Sequence, residues 1–412
     1  MPKSKPSRAR AKAPSPFSTI EGAVEDFREG RVVILVDDED RENEGDFAMA
    51  AEKVTPESIN FMTKEGRGLV CLALTPERVD ALGLPMMVQG GQNGSRFGTS
   101  FTVSIEAHEG VTTGISAFDR AHTIRTAIRS GARPSDLVTP GHVFPLRARP
   151  GGVLRRTGHT EGVVDLARLA GLDSSGVICE ILREDGTMAR LPDLIKLSKR
   201  HKLSLVTIKD LIAYRMRHER LVERVEEGEV STPYGRFRAV VYLNRTSGRT
   251  HLALVLGEMD PELPTLIRVQ PANTIRDMVN LLRSDAPDRV RNALDAIRRE
   301  GRGVLVYLQP DSMGEEPFRP REEKQESPAD VDRIGIKRSP ISGLREYGIG
   351  AQILADLGLR RIRILTNDER RIVALKGYGL ELEGRVPVEV EPPLPVPEGA
   401  KAERGPSYLQ RP

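Results

Sequence analysis

Short apolar runs alternate with stretches of helical period along most of the chain, and this alternation predicts two successive mixed α/β (α+β) units. In the first, RVVILV (31–36), GLVCLAL (68–74), GVICEIL (176–182) and LSLVTI (203–208) read as strands. A helix is expected over 116–130, where Ala117, Phe118, Ala121, Ile124, Ala127 and Ile128 recur at spacings of three and four. Ser116 stands at its N-cap position, Asp119 three residues on, and Gly131 beyond its end. A second helix is predicted from about 161 to 170, with Thr160 as cap and Gly171 as stop. A charged helix over 209–226 then leads to a new pattern, which opens at STPYGRFRAVVYLN (231–244). It continues through HLALVLG, TLIRVQ, a helix near 286–300, the strand GVLVYL (303–308), a helix at REYGIGAQILADLG and a strand at RIRILTN. The segment 311–332, rich in Glu, Pro and Arg, reads as a loop. The domain expectation is therefore a disordered basic tail at 1–16, units at 17–220 and 231–390, and a Pro-rich tail at 391–412.

Composition narrows the class. The chain has 412 residues, 38% of them apolar and 29% charged, which suits a globular protein long enough for two cores. No run has the eighteen or so apolar residues of a membrane helix. Net charge is +3, and five basic groups fall in the first twelve residues, so the body is nearly neutral and no nucleic-acid-binding face is expected. A targeting peptide is the alternative reading of that basic start. Cys71 and Cys179 are the only cysteines, and each lies in an apolar run, so a disulfide framework is excluded and a cytoplasmic location is expected.

Three places carry candidate chemistry. DDEDRENEGD (37–46) packs seven carboxylates into ten residues directly after the strand 31–36. It is either a solvated charged loop or a site where a cation relieves their repulsion, and oxygen donors suit Mg2+ or Mn2+. Two of the seven histidines lie in glycine-flanked segments, PGHVFP (140–145) and RRTGHTEG (155–162). His159 precedes the expected helix start, where free backbone N–H groups and the nearby Arg155 and Arg156 could cradle a phosphate. Glu180 sits among apolar neighbours in GVICEIL, so it is either an exposed residue of an edge strand or a carboxyl facing a cavity, with a raised pKa suited to acid–base work.

Taken in order, DDEDRENEGD, GLVCLAL, FTVSIEAHEGVTTGISAFDR, RPSDLVTPGHVFPLRARPGGVLRRTGHTEGVVDL and GVICEILREDGTMAR resemble the signature blocks of 3,4-dihydroxy-2-butanone 4-phosphate synthase, over about 17–218. The resemblance implies conversion of D-ribulose 5-phosphate to L-3,4-dihydroxy-2-butanone 4-phosphate and formate, with Mg2+, by a homodimer whose sites lie at the subunit interface. It implies Glu42 and His159 as metal ligands. Arg41, Glu42, Asp46, Arg156, Thr157, Gly158, His159 and Thr160 would hold substrate, with Glu180 beside them, and His142 and Glu180 would be catalytic.

Residues 231–390 resemble GTP cyclohydrolase II through TPYGRFR, HLALVLGE, REYGIGAQIL, RIRILTN and GYGLELEGRVPV. The three zinc thiolates of that family align with Asn273, Ser284 and Ala286, its RQEGRGIGL segment has become QPDSMGEE, and the aspartate of its D-x-R pair is Gly343 beside the surviving Arg345. No zinc is expected there. Three readings of this half stay open: a module kept for dimer contacts, stability or regulation, a cyclohydrolase working without the usual zinc, and a new small-molecule function.

Overall fold

The computed structural model describes residues 15–88, 92–95, 97–272, 277, 289–309, 340–367 and 375–388, with side chains 340–347 and 376 excepted. The expectations for the 1–14 stretch, the loop 311–332, the tail from 391, the positions Asn273, Ser284 and Ala286, and the side chain of Arg345 lie outside the described residues. The chain forms two compact units, the first of Met1–Glu219 with Ser339–Arg345 and the second of Arg220–Arg338 with Glu346–Pro412. No described helix is long and apolar enough to cross a membrane.

The first unit is built on a seven-stranded mixed sheet. Its strands are β1 (Val33–Val36), β2 (Gly45–Ala50), β3 (Cys71–Leu74), β4 (Ile105–Ala107), β5 (Leu137–Arg147), β6 (Gly176–Glu180) and β7 (Leu205–Thr207), in the order β4-β5-β3-β6-β2-β1-β7. β3 with β5 and β1 with β7 run parallel, and the remaining pairs are antiparallel. The central strands are buried along their whole length, which is why they appear as unbroken apolar runs. The helices are α1 (Ile20–Arg28), α2 (Pro56–Phe61), α3 (Pro76–Ala81), α4 (Ala117–Ile128), α5 (His159–Leu169), α6 (Leu191–His201) and α7 (Ile208–His218).

One sheet face presents Ile34, Val36, Phe47, Met49, Leu72, Leu74, Val177 and Cys179 to a core shared with Ala121, Ile124, Ala127 and Ile128 of α4. Ser116 caps α4 as expected, its side chain accepting from the Asp119 amide. Phe118, however, is 60% exposed. At about 100° per residue it lies outside the stripe formed by Ala121, Ile124 and Ile128. The opposite face is covered by α5, and small residues set the distance. A Cβ on Gly162 would come within 2.6 Å of Leu35, and one on Gly176 would run into Val163.

The second unit has its own seven-stranded sheet, ordered β14-β13-β11-β12-β10-β9-β8. Its strands are β8 (Val222–Thr232), β9 (Gly235–Asn244), β10 (Thr250–Leu256), β11 (Thr265–Pro271), β12 (Gly303–Leu308), β13 (Arg361–Leu365) and β14 (Glu381–Val386). Its α-helices among the described residues are α8 (Arg289–Glu300) and, from Glu346 on, α9 (Pro340–Asp356). Ala293, Leu294 and Ile297 of α8 pack with Phe237, Leu266 and Leu305. The expected helix over 209–226 is corrected: α7 stops at His218, and Val222 already pairs with Asn244 in the β8–β9 hairpin. β8 is exposed along nearly its whole length, so its polar residues gave no apolar strand period to read.

Gly176→Ala should overpack the seat of Val163 and destabilise the first unit by about 1–3 kcal/mol. Thermal melting should fall by roughly 2–4 °C per kcal/mol, and an unchanged melting temperature would refute this account of how α5 is seated.

Candidate active site

The strands β1 and β6 end, and β2 begins, at one end of the first sheet. There the chain turns from Val36 to Gly45, which pair directly, through the acidic loop. The loop is not a uniformly solvated run. The buried Asp37 carboxylate accepts from the amides of Glu44 (2.9 Å) and Glu42 (3.1 Å) and from the Arg41 guanidinium (2.7 Å). Arg41 also donates to Glu42 Oε2 at 2.7 Å, and its guanidinium lies 5.1 Å from the Phe97 ring centroid. Asn43 takes the left-handed conformation that lets the loop reverse. Arg190 donates to the Glu42 carbonyl at 2.9 Å and to the Asn43 carbonyl, clamping the loop from below.

Helix α5 delivers His159 to this loop. The expected Thr160 cap is corrected: the helix begins at His159, the N-cap is the extended Gly158, and no side chain caps it. Gly158 leaves first-turn N–H groups open to a ligand, which a capping hydroxyl would compete for. Thr160 is instead buried inside the first turn, and Thr157 precedes the cap. His159 Nδ1 lies 3.7 Å from Glu42 Oε2 and 3.9 Å from Asp46 Oδ1. Its Nε2 is buried with no hydrogen-bond partner among the described residues. Donor atoms of Asp37, Glu42 and His159 all lie within 4.8 Å of one another. Two carboxylates and one imidazole with an orphaned nitrogen make a donor set that fits a hard divalent cation.

Asp46 and Glu180 face each other across β2 and β6. Glu180 lies on an interior strand, which removes the edge-strand reading, and its Oε2 accepts from the Leu69 amide at 2.8 Å. Burial lifts the Asp46 carboxyl to about 7; the His159 charge opposes this, and the Glu180, Glu42 and Glu44 carboxylates reinforce it. For His159, burial alone would lower the imidazole, but the Asp46, Glu42 and Asp37 carboxylates outweigh it and hold it at about 9. Burial likewise raises Glu44, whereas on Glu42 the His159 and Arg41 contacts overcome burial and lower it. Arg156 donates to the buried Glu161 carboxylate (2.7 Å), the Phe97 carbonyl (3.2 Å) and Thr99 Oγ1 (3.0 Å), and so shares Phe97 with Arg41.

Of the residues singled out in the sequence, Arg41, Glu42, Asp46, Arg156, Thr157, Gly158, His159, Thr160 and Glu180 thus gather at one end of the sheet. His142 does not join them by contact. β5 is two strands from β6, about 10 Å. His142 is half-exposed there, with Nδ1 2.7 Å from Glu106 Oε2. Sequence reading passed over Asp37, Glu106 and Glu161. Asp37 was one of seven similar acids. Glu106 stands between two fully buried neighbours, Ile105 and Ala107, the same signal that drew attention to Glu180.

Similarity to known proteins agrees with this geometry. The family model for 3,4-dihydroxy-2-butanone 4-phosphate synthase matches residues 21–214, and that for GTP cyclohydrolase II matches 223–387. A riboflavin biosynthesis protein RibBA of Aquifex aeolicus is 52% identical over 381 residues, covering 91% of this chain and 93% of its own. The chain belongs to the 3,4-dihydroxy-2-butanone 4-phosphate synthase family, with a GTP cyclohydrolase II-type domain behind the synthase. It is thereby a lyase of riboflavin biosynthesis. A Pseudomonas aeruginosa protein named as the synthase is 47% identical over 375 residues, 90% of this chain and 100% of that one. The crystal structure of RibBX, a two-domain synthase from A. baumannii, superposes with a TM-score of 0.74 at 42% identity, covering 90% of this chain and 99% of that one.

Both His159 and Asp46 hold protons more tightly in the folded state than their ordinary values of 6.5 and 3.8. The Asp46 contribution is complete below 3.8 and is lost as pH rises through about 7; that of His159 is complete below 6.5 and is lost through about 9. Chelated protein should therefore lose thermal stability between pH 6 and 9.5, with the upper part of the slope missing in His159→Asn. A melting temperature flat across that range would contradict the electrostatics described here.

Proposed function

We propose that the first unit converts D-ribulose 5-phosphate to L-3,4-dihydroxy-2-butanone 4-phosphate and formate, using Mg2+ or Mn2+ held by Glu42 and His159 with Asp37 beside them. The observation that carries this reading is the convergence of Asp37, Glu42 and His159 next to the paired Asp46 and Glu180. Substrate and the two products balance in every atom, so no oxidant, reductant or further reactant is required. When bound, the cation polarises the substrate carbonyl and lowers the cost of removing the neighbouring proton. The open N–H groups of α5, with Arg156, Thr157, Gly158 and Thr160, take the phosphate. Arg41, Glu42 and Asp46 orient the hydroxyl-bearing end. Glu180 is held by the Leu69 amide through one oxygen, which leaves the other to move protons. His142 is the second proton carrier.

A homodimer is supported by Ile115 and Phe118 near the start of α4 and Val138 on β5, which are exposed at the β4–β5 edge where His142 also lies. A second copy covering that edge would complete a site at the interface. A cytoplasmic location is the reading that two free, buried cysteines support.

The second unit is proposed to lack GTP cyclohydrolase activity and to bind no zinc. The chain has two cysteines in all, both buried in the first unit, so a three-thiolate zinc site cannot be assembled from it. That the Pseudomonas relative matches over its full length and is named for the synthase alone supports this reading. The name RibBA on other relatives favours a second reading, a bifunctional enzyme that also acts on GTP.

Purified protein should release formate from ribulose 5-phosphate and stop doing so in the presence of a chelator. Glu42→Ala and His159→Ala should each lower kcat/KM by about 10²-fold or more, a loss of roughly 2.7 kcal/mol of transition-state stabilisation. Glu180→Gln should depress kcat with little change in KM. Full turnover after exhaustive metal removal would reject the metal assignment, and near-normal turnover in Glu180→Gln would reduce that residue to a structural one. With GTP as substrate no product should form, and elemental analysis should find no stoichiometric zinc; turnover of GTP would establish the bifunctional reading instead.

A further inference from the structure

A pair of buried charges lies behind the segment that leads into α5. Asp165 on α5 and Arg215 on α7 are 3% and 5% exposed, and Arg215 donates to Asp165 Oδ2 at 2.7 Å. The same Asp165 oxygen accepts from the Val153 amide at 2.8 Å, and Arg215 donates to the Gly151 carbonyl at 2.8 Å. Both oxygens of Glu219 accept from Arg215, each at 2.8 Å. One ion pair therefore holds a backbone group on either side of Gly152. Gly152 is fitted to it, since its φ is +63° and a Cβ there would strike the Asp165 carboxylate. The turn so held carries Arg156, because the Gly152 carbonyl accepts from the amides of Arg155 (2.8 Å) and Arg156 (3.1 Å). Glu161, one helical turn before Asp165 on the same face of α5, accepts from the Arg149 amide at 3.0 Å and from the Arg156 guanidinium at 2.7 Å. The approach to α5 is thus strapped to the helix at two levels.

Stability alone is a poor account of this pair. Taking both charges out of water costs about as much as their attraction returns, and well-packed apolar residues of similar size serve a core as well or better. What apolar residues cannot do is hold an amide and a carbonyl in place. Charge-assisted hydrogen bonds of fixed direction do that, and here they act on the turn from which Arg156 projects. A guanidinium that must meet a phosphate gains from being placed before the ligand arrives, because a misplacement of about 1 Å is enough to lose much of the interaction.

We propose that Asp165 and Arg215 are positioning residues for the synthase reaction, setting the turn 151–155 so that Arg156 is presented to the substrate phosphate beside the first turn of α5. The proposal rests on the reading of Arg156 as a phosphate ligand. Two variants of the full-length chain test it. Asp165→Leu combined with Arg215→Met replaces the pair with apolar groups, and Glu219 keeps Arg168 as its partner at 2.6 Å. Arg215→Lys keeps a charge beside Asp165 but cannot also reach Gly151 and Glu219. KM for ribulose 5-phosphate and the inhibition constant of inorganic phosphate should rise together, by about 10-fold in the double variant and about threefold in Arg215→Lys. In both, kcat and the Mg2+ concentration for half-maximal rate should stay within about twofold. A merely structural pair would lower the melting temperature and leave both constants unchanged in the folded protein. That result overturns the proposal, and Arg215→Lys decides alone if the double variant does not fold. Arg156→Ala tests the reading beneath it and should raise the same two constants by about 10-fold. Unchanged constants in Arg156→Ala would remove the phosphate reading and the proposal with it, whereas raised constants there beside normal ones in the pair variants would overturn the proposal alone.

Discussion

Four carboxylates, those of Asp37, Glu42, Asp46 and Glu180, converge at one end of the first sheet around a single imidazole. Like charges at such distances in a partly buried place repel by several kcal/mol, so the arrangement persists only because other parts of the fold hold it. Arg41 bridges Asp37 and Glu42, Arg190 grips two loop carbonyls, and Asp37 gives both of its oxygens to backbone amides. The high proton affinity of His159 is the result of the residual imbalance, while that of Asp46 comes first from burial, with the Glu180, Glu42 and Glu44 carboxylates adding to it. A divalent cation is the natural complement to such a site, since it supplies the missing positive charge and leaves the imidazole neutral to ligate.

Helix α5 is the element through which packing becomes chemistry. Its apolar residues Val163, Leu166 and Ala167 are fully buried, and glycines at 162 and 176 let it sit close against the sheet. That close seat fixes His159, the first residue of the helix, against the acidic loop. The same end has no capping side chain, so no side chain at the cap takes its first-turn amides. A Cβ at 158 would strike the Arg156 guanidinium, so glycine at the cap keeps Arg156 beside the first turn.

Much of this was legible in the sequence, for reasons that differ by element. β1, β3, β6 and β7 are buried strands and read as continuous apolar runs. β2 and β5 did not, because the site had written over their pattern. β2 opens with Gly45 and Asp46, and β5 carries Thr139, Pro140, Gly141 and His142 in its first half. The motifs that suggested chemistry thus hid the strands that carry them. Glu42, Asp46, His159 and Glu180 were identifiable as residue types, but their convergence depends on cross-strand register, which a one-dimensional pattern does not encode. Phe118 was misplaced for the converse reason: a 3–4 spacing identifies a helix and leaves a residue at the margin of its stripe ambiguous.

The second unit stands on a core of its own. Small zinc-dependent domains lose their structure with their ligands, because metal binding supplies their folding energy. Here Phe237, Leu266, Ala293, Ile297 and Leu305 form a buried apolar cluster, and seven strands pair around it, with register shifts at Arg224/Glu226 and Ile362/Arg363. Outside that core, Tyr242 and Arg224 both donate to the Asp356 carboxylate, at 2.8 and 3.0 Å, and tie β9 and β8 to the end of α9. None of these contacts involves a metal. The sheet of this unit is therefore folded by apolar burial and strand pairing, forces that do not depend on a metal.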